Sequence, residues 1–495
     1  MTAFQELPLE ILLEIFGFLD PTDIVCGVRM VCHAFYGTSL ARSLWKDLLF
    51  QVCLENGIFS KTFDPEAMSI RDFEHATTMP RRFLQTHLRK PSPDNARIIK
   101  PSSKHYIDFL DEEIYRGKGF EKDIIRLYLI PGGRYLLTHH SHSIHMWDLG
   151  LPGDPRGVPK KLPLGSIDLH EQGANGAPGL TPHPTRDGKG ILLFTCLDDM
   201  SDINTCTRDV RVYSIYPGAP EPRFTLVKNF TVLLPGESYG LYKLGYDMLV
   251  MVLENQMRVW NFITNESAVW KIEIVGQYES IFLKDECIIL CDGRGLLIWD
   301  VPPLHPCNSA KAYEMQELPP ILTLRLEEEI FPDLKFNYEG LADWYYSTGQ
   351  PFYFDFVVCP QRTVHLTRYR LDLGPLPKDE TFKLEGSVLI PHKLKRLMSF
   401  TVPEDDGILE EFRVADDNIV MYWSAPNGLN IQSIPRDMES QGTPEAIVVV
   451  YEMAMVDRYL STLCSSSGRV CHLLQPDIIE IADFIPHPNQ VIKLD

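Results

Sequence analysis

An α+β multidomain chain, with a small helical N-terminal domain and a helical linker leading into an all-β region, is predicted by two changes of periodicity. Over residues 5–48 apolar side chains recur at helical spacing between helix start and stop signals. From about Ile124 to Phe484 the pattern becomes short runs rich in Val, Ile, Leu, Tyr and Phe, bounded by Gly, Pro, Asp and Asn. The divisions that follow are a helical domain at 1–50, a helical linker at 51–120, a β-rich domain at 121–485 and a tail at 486–495.

The first helix begins at Pro8, which fits a first helical position, and carries Glu10 in its first turn. Leu9, Ile11, Leu12, Ile15, Phe16 and Leu19 cover more than half of its circumference, so it has two apolar faces. Asp20-Pro21-Thr22-Asp23 stops this helix and starts a second: Asp20 is the N-cap, Pro21 the first helical residue, and Asp23 complements the helix dipole. Ile24, Val25, Val28 and Val31 form the buried stripe expected of it. Third and fourth short helices are expected around His33 to Ser39 and Leu44 to Leu49, adding Phe35, Leu40, Trp45 and Leu48. So few residues cannot shield that much apolar surface alone, which leaves two outcomes: a partner protein, or packing against the chain's own C-terminal domain.

Leu7-Pro8, Glu10, Ile11-Leu12, Ile15, Leu19-Asp20, Ile24, Val31-Cys32, Phe35-Tyr36 and Leu44-Trp45-Lys46 follow one another in an order that resembles the F-box. Phe16 stands where a second aliphatic is usual, and Phe35-Tyr36 where a basic residue and Trp often sit. The resemblance implies a non-catalytic substrate-receptor subunit of a Skp–cullin–F-box ubiquitin ligase. It implies a Skp-family adaptor, and through it a cullin, as partners, with Leu7, Pro8, Glu10, Ile11, Leu12, Ile15, Leu19, Ile24, Val28, Val31 and Cys32 as the adaptor interface.

In the linker, Ser69 to Asp72 reads as a capping box and Pro80 as the start of a helix ending at Lys90 before Pro91. The basic stretch from Arg81 to Lys104 contains Pro91, Ser92 and Pro93, lacks a dense charge run, and reads as solvated linker.

The β-rich runs come in pairs. A strand ending in an aromatic and a polar residue recurs as SIHMWDL, VRVYSI, MRVWNF, LLIWDV and, less sharply, LTRYRL, VMYWSA and RVCHLL. The copies centre on Trp147, Tyr213, Trp260, Trp299, Tyr369, Trp423 and His472, 39 to 70 residues apart. They resemble the later strands of WD-type propeller repeats, with loops of variable length accounting for the long intervals. The resemblance implies a propeller-like, substrate-binding domain of seven units; a β-sandwich or two smaller β domains is the alternative.

Composition narrows the function classes. Forty-seven basic against 67 acidic residues give a net charge of −20, which disfavours nucleic acid as a partner. No stretch approaches the roughly 20 apolar residues of a membrane span; Ala446 to Val456 comes closest and contains Glu452. The N-terminal apolar run carries Glu6, Glu10 and Glu14 without a basic leader, unlike a signal peptide. Eleven cysteines without a C-x-x-C pair read as small buried groups in a reducing compartment, so the expected location is cytoplasmic, nuclear or both.

No cofactor and no metal is expected. Gly236-Glu237-Ser238-Tyr239-Gly240 matches the G-x-S-x-G elbow of serine hydrolases, which needs a helix directly after the serine, yet LYKLGYDMLVMVL follows and reads as a strand. His139, His140, His142 and His145 cluster, but in a hairpin the last three would not all share a face, and a polar turn is the expectation. Glu327-Glu328-Glu329, Glu404-Asp405-Asp406, Glu410-Glu411 and Asp198 to Asp202 fail the calcium-loop pattern and are expected in solvated loops. Gly117-Lys118-Gly119 and Gly293-Arg294-Gly295 lack the rest of a nucleotide-binding motif. A ubiquitin-ligase receptor is the leading function, with a non-degradative scaffold and a Ser238 hydrolase as alternatives.

Overall fold

The computed structural model describes residues 7–88, 97–109, 124–154, 157, 159–169, 181–202, 205–234, 240–272, 278–284, 287–292, 295–325, 334–335, 352–358, 363–373, 392–403, 408–415, 418–425, 428–435, 449–452 and 460–487. They fall into two compact units. One comprises Met1–Ser166, Gly407–Arg436 and Ile447–Asp495; the other comprises Ile167–Asp406 and Asp437–Ala446.

The first unit opens with α1 (Leu9–Gly17), α2 (Pro21–Cys26), a 3-10 turn at Val28–Met30, α3 (His33–Thr38), α4 (Arg42–Glu55) and α5 (Ile70–Leu88). The stops and starts follow the local chemistry. Asp20 caps α2 by accepting the Thr22 N–H at 2.7 Å, with Pro21 at the first position. Ser69 and Asp72 form the expected reciprocal box at the start of α5: the Ser69 N–H donates to Asp72 Oδ2 at 2.8 Å and the Asp72 N–H to Ser69 Oγ at 3.3 Å.

In the rest of this unit three antiparallel sheets follow. The first in the chain runs through Ile124–Leu129, Tyr135–His140, Ser143–Asp148 and Gly165–Asp168. The sixth contains Ile408–Ala415, Asn418–Ala425, Gly428–Pro435 and Val449–Glu452, with Arg97–Ile99 added in parallel. The seventh contains Ser461–Cys464, Arg469–Gln475 and Ile478–Asp483, completed by Ser103–Asp108 from the other end of the sequence. One core joins helices to sheets: Phe16, Ile24, Trp45, Phe73 and Phe83 pack in the same buried cluster as Tyr422, Leu463, Val470 and Phe484.

The second unit holds the second to fifth sheets, whose first two strands are His183–Pro184 and Ile191–Asp202, Gly240–Leu244 and Met248–Leu253, Tyr278–Lys284 and Cys287–Asp292, and Leu334–Lys335 and Phe352–Val358. Their third strands are Thr205–Ile215, Gln256–Asn261, Gly295–Asp300 and Thr363–Leu373; their fourth are Thr225–Leu234, Glu266–Lys271, Leu322–Arg325 and His392–Pro403. His305–Pro306 and Met315–Glu317 add to the outer edge of the third sheet. Apolar residues between the second and third sheets, including Phe194, Val210, Phe230, Met251 and Trp260, form one cluster.

Seven successive sheets among the described residues, built mostly from four strands in chain order, give the β region a propeller-like construction. Trp147, Tyr213, Trp260, Trp299 and Tyr369 lie in the third strand of the first five sheets, one per sheet, whereas Trp423 and His472 lie in the second strand of the sixth and seventh.

The structure departs from the sequence reading in five places. His139, His140 and His145, expected in a polar turn, are buried in strands Tyr135–His140 and Ser143–Asp148. Pro80 lies inside α5 and does not open it. Two segments assigned to the linker, Arg97–Ile99 and Ser103–Asp108, are strands. Asp198 to Asp202 and Glu410-Glu411 lie in strands Ile191–Asp202 and Ile408–Ala415, not in loops. Val31, expected in the buried stripe of α2, is 67% exposed.

Candidate protein-interaction surface

The N-terminal helices keep one apolar set inside and present another outward. On α1, Leu12 and Phe16, one helical turn apart, are buried, and Phe16 meets Phe35 of α3 edge to face with ring centroids 5.5 Å apart. Ile11, Ile15 and Phe18 follow the same spacing on a different face and are exposed, Phe18 to 84%. Beyond α2, Met30 is 83% exposed, and Tyr36 and Leu40 are exposed as well.

The inner set is held by a polar frame around Trp45. Its indole Nε1–H donates to the Ser39 carbonyl at 2.7 Å. The Arg29 guanidinium lies 5.6 Å from the Trp45 ring centroid, donates from Nε to Ser39 Oγ at 2.8 Å, and pairs through Nη2 with Glu74 of α5 at 2.5 Å. Arg42 reaches from α4 to the Met68, Pro65 and Glu66 carbonyls. The outward apolar side chains therefore stand on a fixed support. Exposed apolar groups outside such a frame make this face a candidate interaction surface.

Of the residues expected at a partner interface, Pro8, Glu10, Ile11, Ile15 and Val31 are exposed, and Leu7, Leu19, Val28 and Cys32 are half-buried. Leu12 and Ile24 turn inward, at 4% and 0% exposure, so they shape the surface from beneath and do not form it. Phe18, Met30 and Tyr36 are exposed apolar groups outside the interface set that the sequence pattern marks, because burial by neighbouring helices, not helical spacing, decides which apolar face stays open.

This segment matches the family model described as F-box-like over residues 4–51. Residues 4–51 are an F-box-like domain. No curated protein matches it in sequence. Among solved structures it is similar to the β-propeller domain of Cps50 (Swd1) from Myceliophteria thermophila, at 11% identity and a TM-score of 0.40, covering 73% of this chain and 96% of that one. Sqt1 of Saccharomyces cerevisiae is similar at 11% identity and a TM-score of 0.38, covering 79% and 99%. The WD40 domain of SCAP from fission yeast follows at 10% identity and a TM-score of 0.34, covering 75% and 86%. For the β region that follows this domain the strand order, not these distant likenesses, carries the fold.

The other sequence candidates are placed as follows. Ser238 lies outside the described residues, and the segment directly after its motif is a strand, Gly240–Leu244, where a nucleophile elbow requires a helix. His140 and His145 do share a face, their rings 5.0 Å apart, but both engage hydroxyl groups. His145 Nε2 lies 2.9 Å from Ser143 Oγ and its Nδ1 2.7 Å from Ser166 Oγ. His140 Nε2 lies 3.1 Å from Thr138 Oγ1, which also accepts the Trp147 indole N–H at 3.0 Å. Burial, with His140 adding to it, pushes the His145 pKa down to about 3; burial takes His139 down to about 4. His139 and His145 are thus held neutral, and His140 and His145 are hydrogen-bonding members of the first sheet. Among the described residues no group of three or more His, Cys, Asp or Glu is placed to hold a metal ion.

Proposed function

We propose that this F-box protein is the substrate-recognition subunit of a cullin–RING ubiquitin ligase. F-box domains generally bind Skp-type adaptors, and the exposed Ile11, Ile15, Phe18 and Val31 on the rigid N-terminal helices are the observation that carries the reading. In it, the helices dock on a Skp-family adaptor and through it on a cullin, while the β region holds a protein substrate. The chain does no chemistry: it raises the substrate's effective concentration near the ubiquitin-conjugating enzyme. The same reading places the protein in the cytoplasm, the nucleus or both.

The test is co-purification of the wild-type chain and an Ile11→Asp, Val31→Asp variant with a Skp-family adaptor and cullin. Both substituted side chains are exposed, so the variant keeps its fold. Adaptor and cullin retained by the wild type and lost from the variant are the expected result; a folded wild type that retains neither rejects the ligase assignment. Partners whose abundance does not respond to proteasome inhibition would favour the non-degradative scaffold.

A further inference from the structure

In the third sheet Arg258 projects from the third strand into the space facing the second sheet, where it is 8% exposed. Its guanidinium carbon lies 5.5 Å from the Phe230 ring centroid and 5.4 Å from that of Tyr313. The two rings are nearly parallel, 8° apart in orientation, with centroids 6.5 Å apart, and Trp260 stacks on Phe230 at 5.2 Å. The aromatic wall is therefore fixed.

What the guanidinium lacks is an acceptor. Nη1 is buried and meets no hydrogen-bond partner among the described residues, and no described carboxylate faces the group. The polar groups near enough to favour its charge are the Tyr313 hydroxyl and the Cys307 thiol, and burial depresses its pKa. Aromatic faces attract a cation but accept none of its five N–H groups in the plane of the fork. A buried charge in this state is costly, and a planar oxyanion that pairs with the fork removes the cost.

The position lies close to the surface on one side. Phe230 lies on the outermost strand of the second sheet, Thr225–Leu234. Tyr313 ends a single 3-10 turn, Ala310–Tyr313, and is half exposed. That turn is pinned from below, where Ser267 Oγ donates to the Ala312 carbonyl at 3.4 Å and the Cys307 N–H to the Asn265 carbonyl at 3.0 Å. One aromatic ring at the surface thus stands beside a buried, unpartnered arginine on the outer edge of this unit.

We propose that Arg258, Phe230 and Tyr313 form an oxyanion-binding site that takes a carboxylate or phosphate group of a peptide ligand. The guanidinium supplies the paired donors, and the two rings pack against the carbon chain that carries the anion. The site is independent of the F-box surface.

Thermal melting of the full-length chain in inorganic phosphate, in acetate and in chloride, at constant ionic strength, tests it. The wild type should show a saturable rise of about 1–2 °C by 50 mM of the recognised anion, the size expected of millimolar binding to a chain this long. A response to phosphate alone identifies a phosphoryl ligand; an equal response to acetate identifies a carboxylate. Arg258→Met should abolish the response, and Tyr313→Ala, whose ring is half exposed, should weaken it severalfold. No anion response in the wild type overturns the site. So does an equal response in Arg258→Met, or in Tyr313→Ala should the Met variant not fold.

Discussion

Arg469 and Asp483 face each other fully buried across neighbouring strands of the seventh sheet, joined by two parallel bonds: Nε to Oδ1 at 2.6 Å and Nη2 to Oδ2 at 2.8 Å. The remaining donors reach into the first sheet's loops, where Nη1 meets the Gly133 and Gly150 carbonyls at 2.8 Å each and Nη2 the Leu151 carbonyl at 3.3 Å. Asp483 in turn accepts the Gly153 N–H at 3.1 Å. The pair thus clasps two sheets of one unit. Arg134 and Asp148 repeat it in the first sheet at the same sequence separation of 14, and each arginine follows a glycine with positive φ, Gly133 at +75° and Gly468 at +65°. The repeat is structural as well as sequential.

Breaking one side of such a clasp strips a buried carboxylate of its paired donors, with the Gly153 N–H remaining, and takes the guanidinium away from three carbonyls. Arg469→Met should therefore destabilise the chain by about 3–5 kcal/mol, more than the pair itself contributes relative to an apolar replacement of both residues. The double variant Arg469→Met, Asp483→Leu should recover part of that loss. Urea midpoints for the three chains decide the matter, and a single variant as stable as wild type would show that water replaces the guanidinium.

Acid should weaken the fold in two stages. His75 of α5 is held neutral by its neighbours: its Nε2–H donates to the Pro152 carbonyl at 3.1 Å, and Arg82 Nη1 donates to its Nδ1 at 3.2 Å. Burial, with His487 edge to face 4.5 Å away and Arg82 adding positive charge, takes its pKa down to about 3, against the opposing Pro152 hydrogen bond and Asp483. His487 itself faces Asp72 at 3.3 Å. Because the folded values of His75, His139 and His145 lie below the unfolded 6.5, protons bind the unfolded chain preferentially. Their contribution is complete above pH 6.5 and declines as pH falls toward about 4 for His139 and about 3 for His75 and His145. Below that, carboxylates join in. Burial alone would raise the Asp483 and Asp148 pKa values, but the Arg469 and Arg134 partners outweigh it and hold them low, so their stabilisation is lost once the pH drops under the ordinary carboxylate range. His75→Gln keeps a donor and an acceptor without titrating, and should flatten the pH dependence of the urea midpoint between 6.5 and 4. An unchanged slope would remove His75 from the account.

Much of this architecture is legible in the sequence because local chemistry sets it. Asp20-Pro21 and the Ser69–Asp72 box place the starts of α2 and α5, and the recurring aromatic strands each fall in a separate sheet. What the sequence hides depends on distant partners. Ser103–Asp108 is a strand because Ile478–Asp483 offers it a free edge, and nothing within its own polar sequence marks that pairing. Pro80 reads as a helix start, yet it sits within α5, whose Ala76, Met79 and Phe83 are fixed by the core below. The candidate interface was half legible for the same reason: spacing finds the apolar residues of α1, and only packing divides them into Leu12 and Phe16 inside, Ile11, Ile15 and Phe18 outside.

That division has measurable consequences. Leu12→Ala and Ile24→Ala each open a cavity beneath the surface and should cost about 2–5 kcal/mol of stability, carrying any loss of adaptor binding along with the loss of fold. Phe18→Ser and Met30→Ser remove side chains that are more than four-fifths exposed and should change stability by no more than about 0.5 kcal/mol. If these two side chains anchor a partner, the same substitutions should cost roughly 1–2 kcal/mol of binding at unchanged urea midpoint. Stability and binding are thereby separated on one helical domain. A Phe18→Ser chain that unfolds as readily as Leu12→Ala would mean that Phe18 is covered by the chain itself, and the surface would cease to be a docking site.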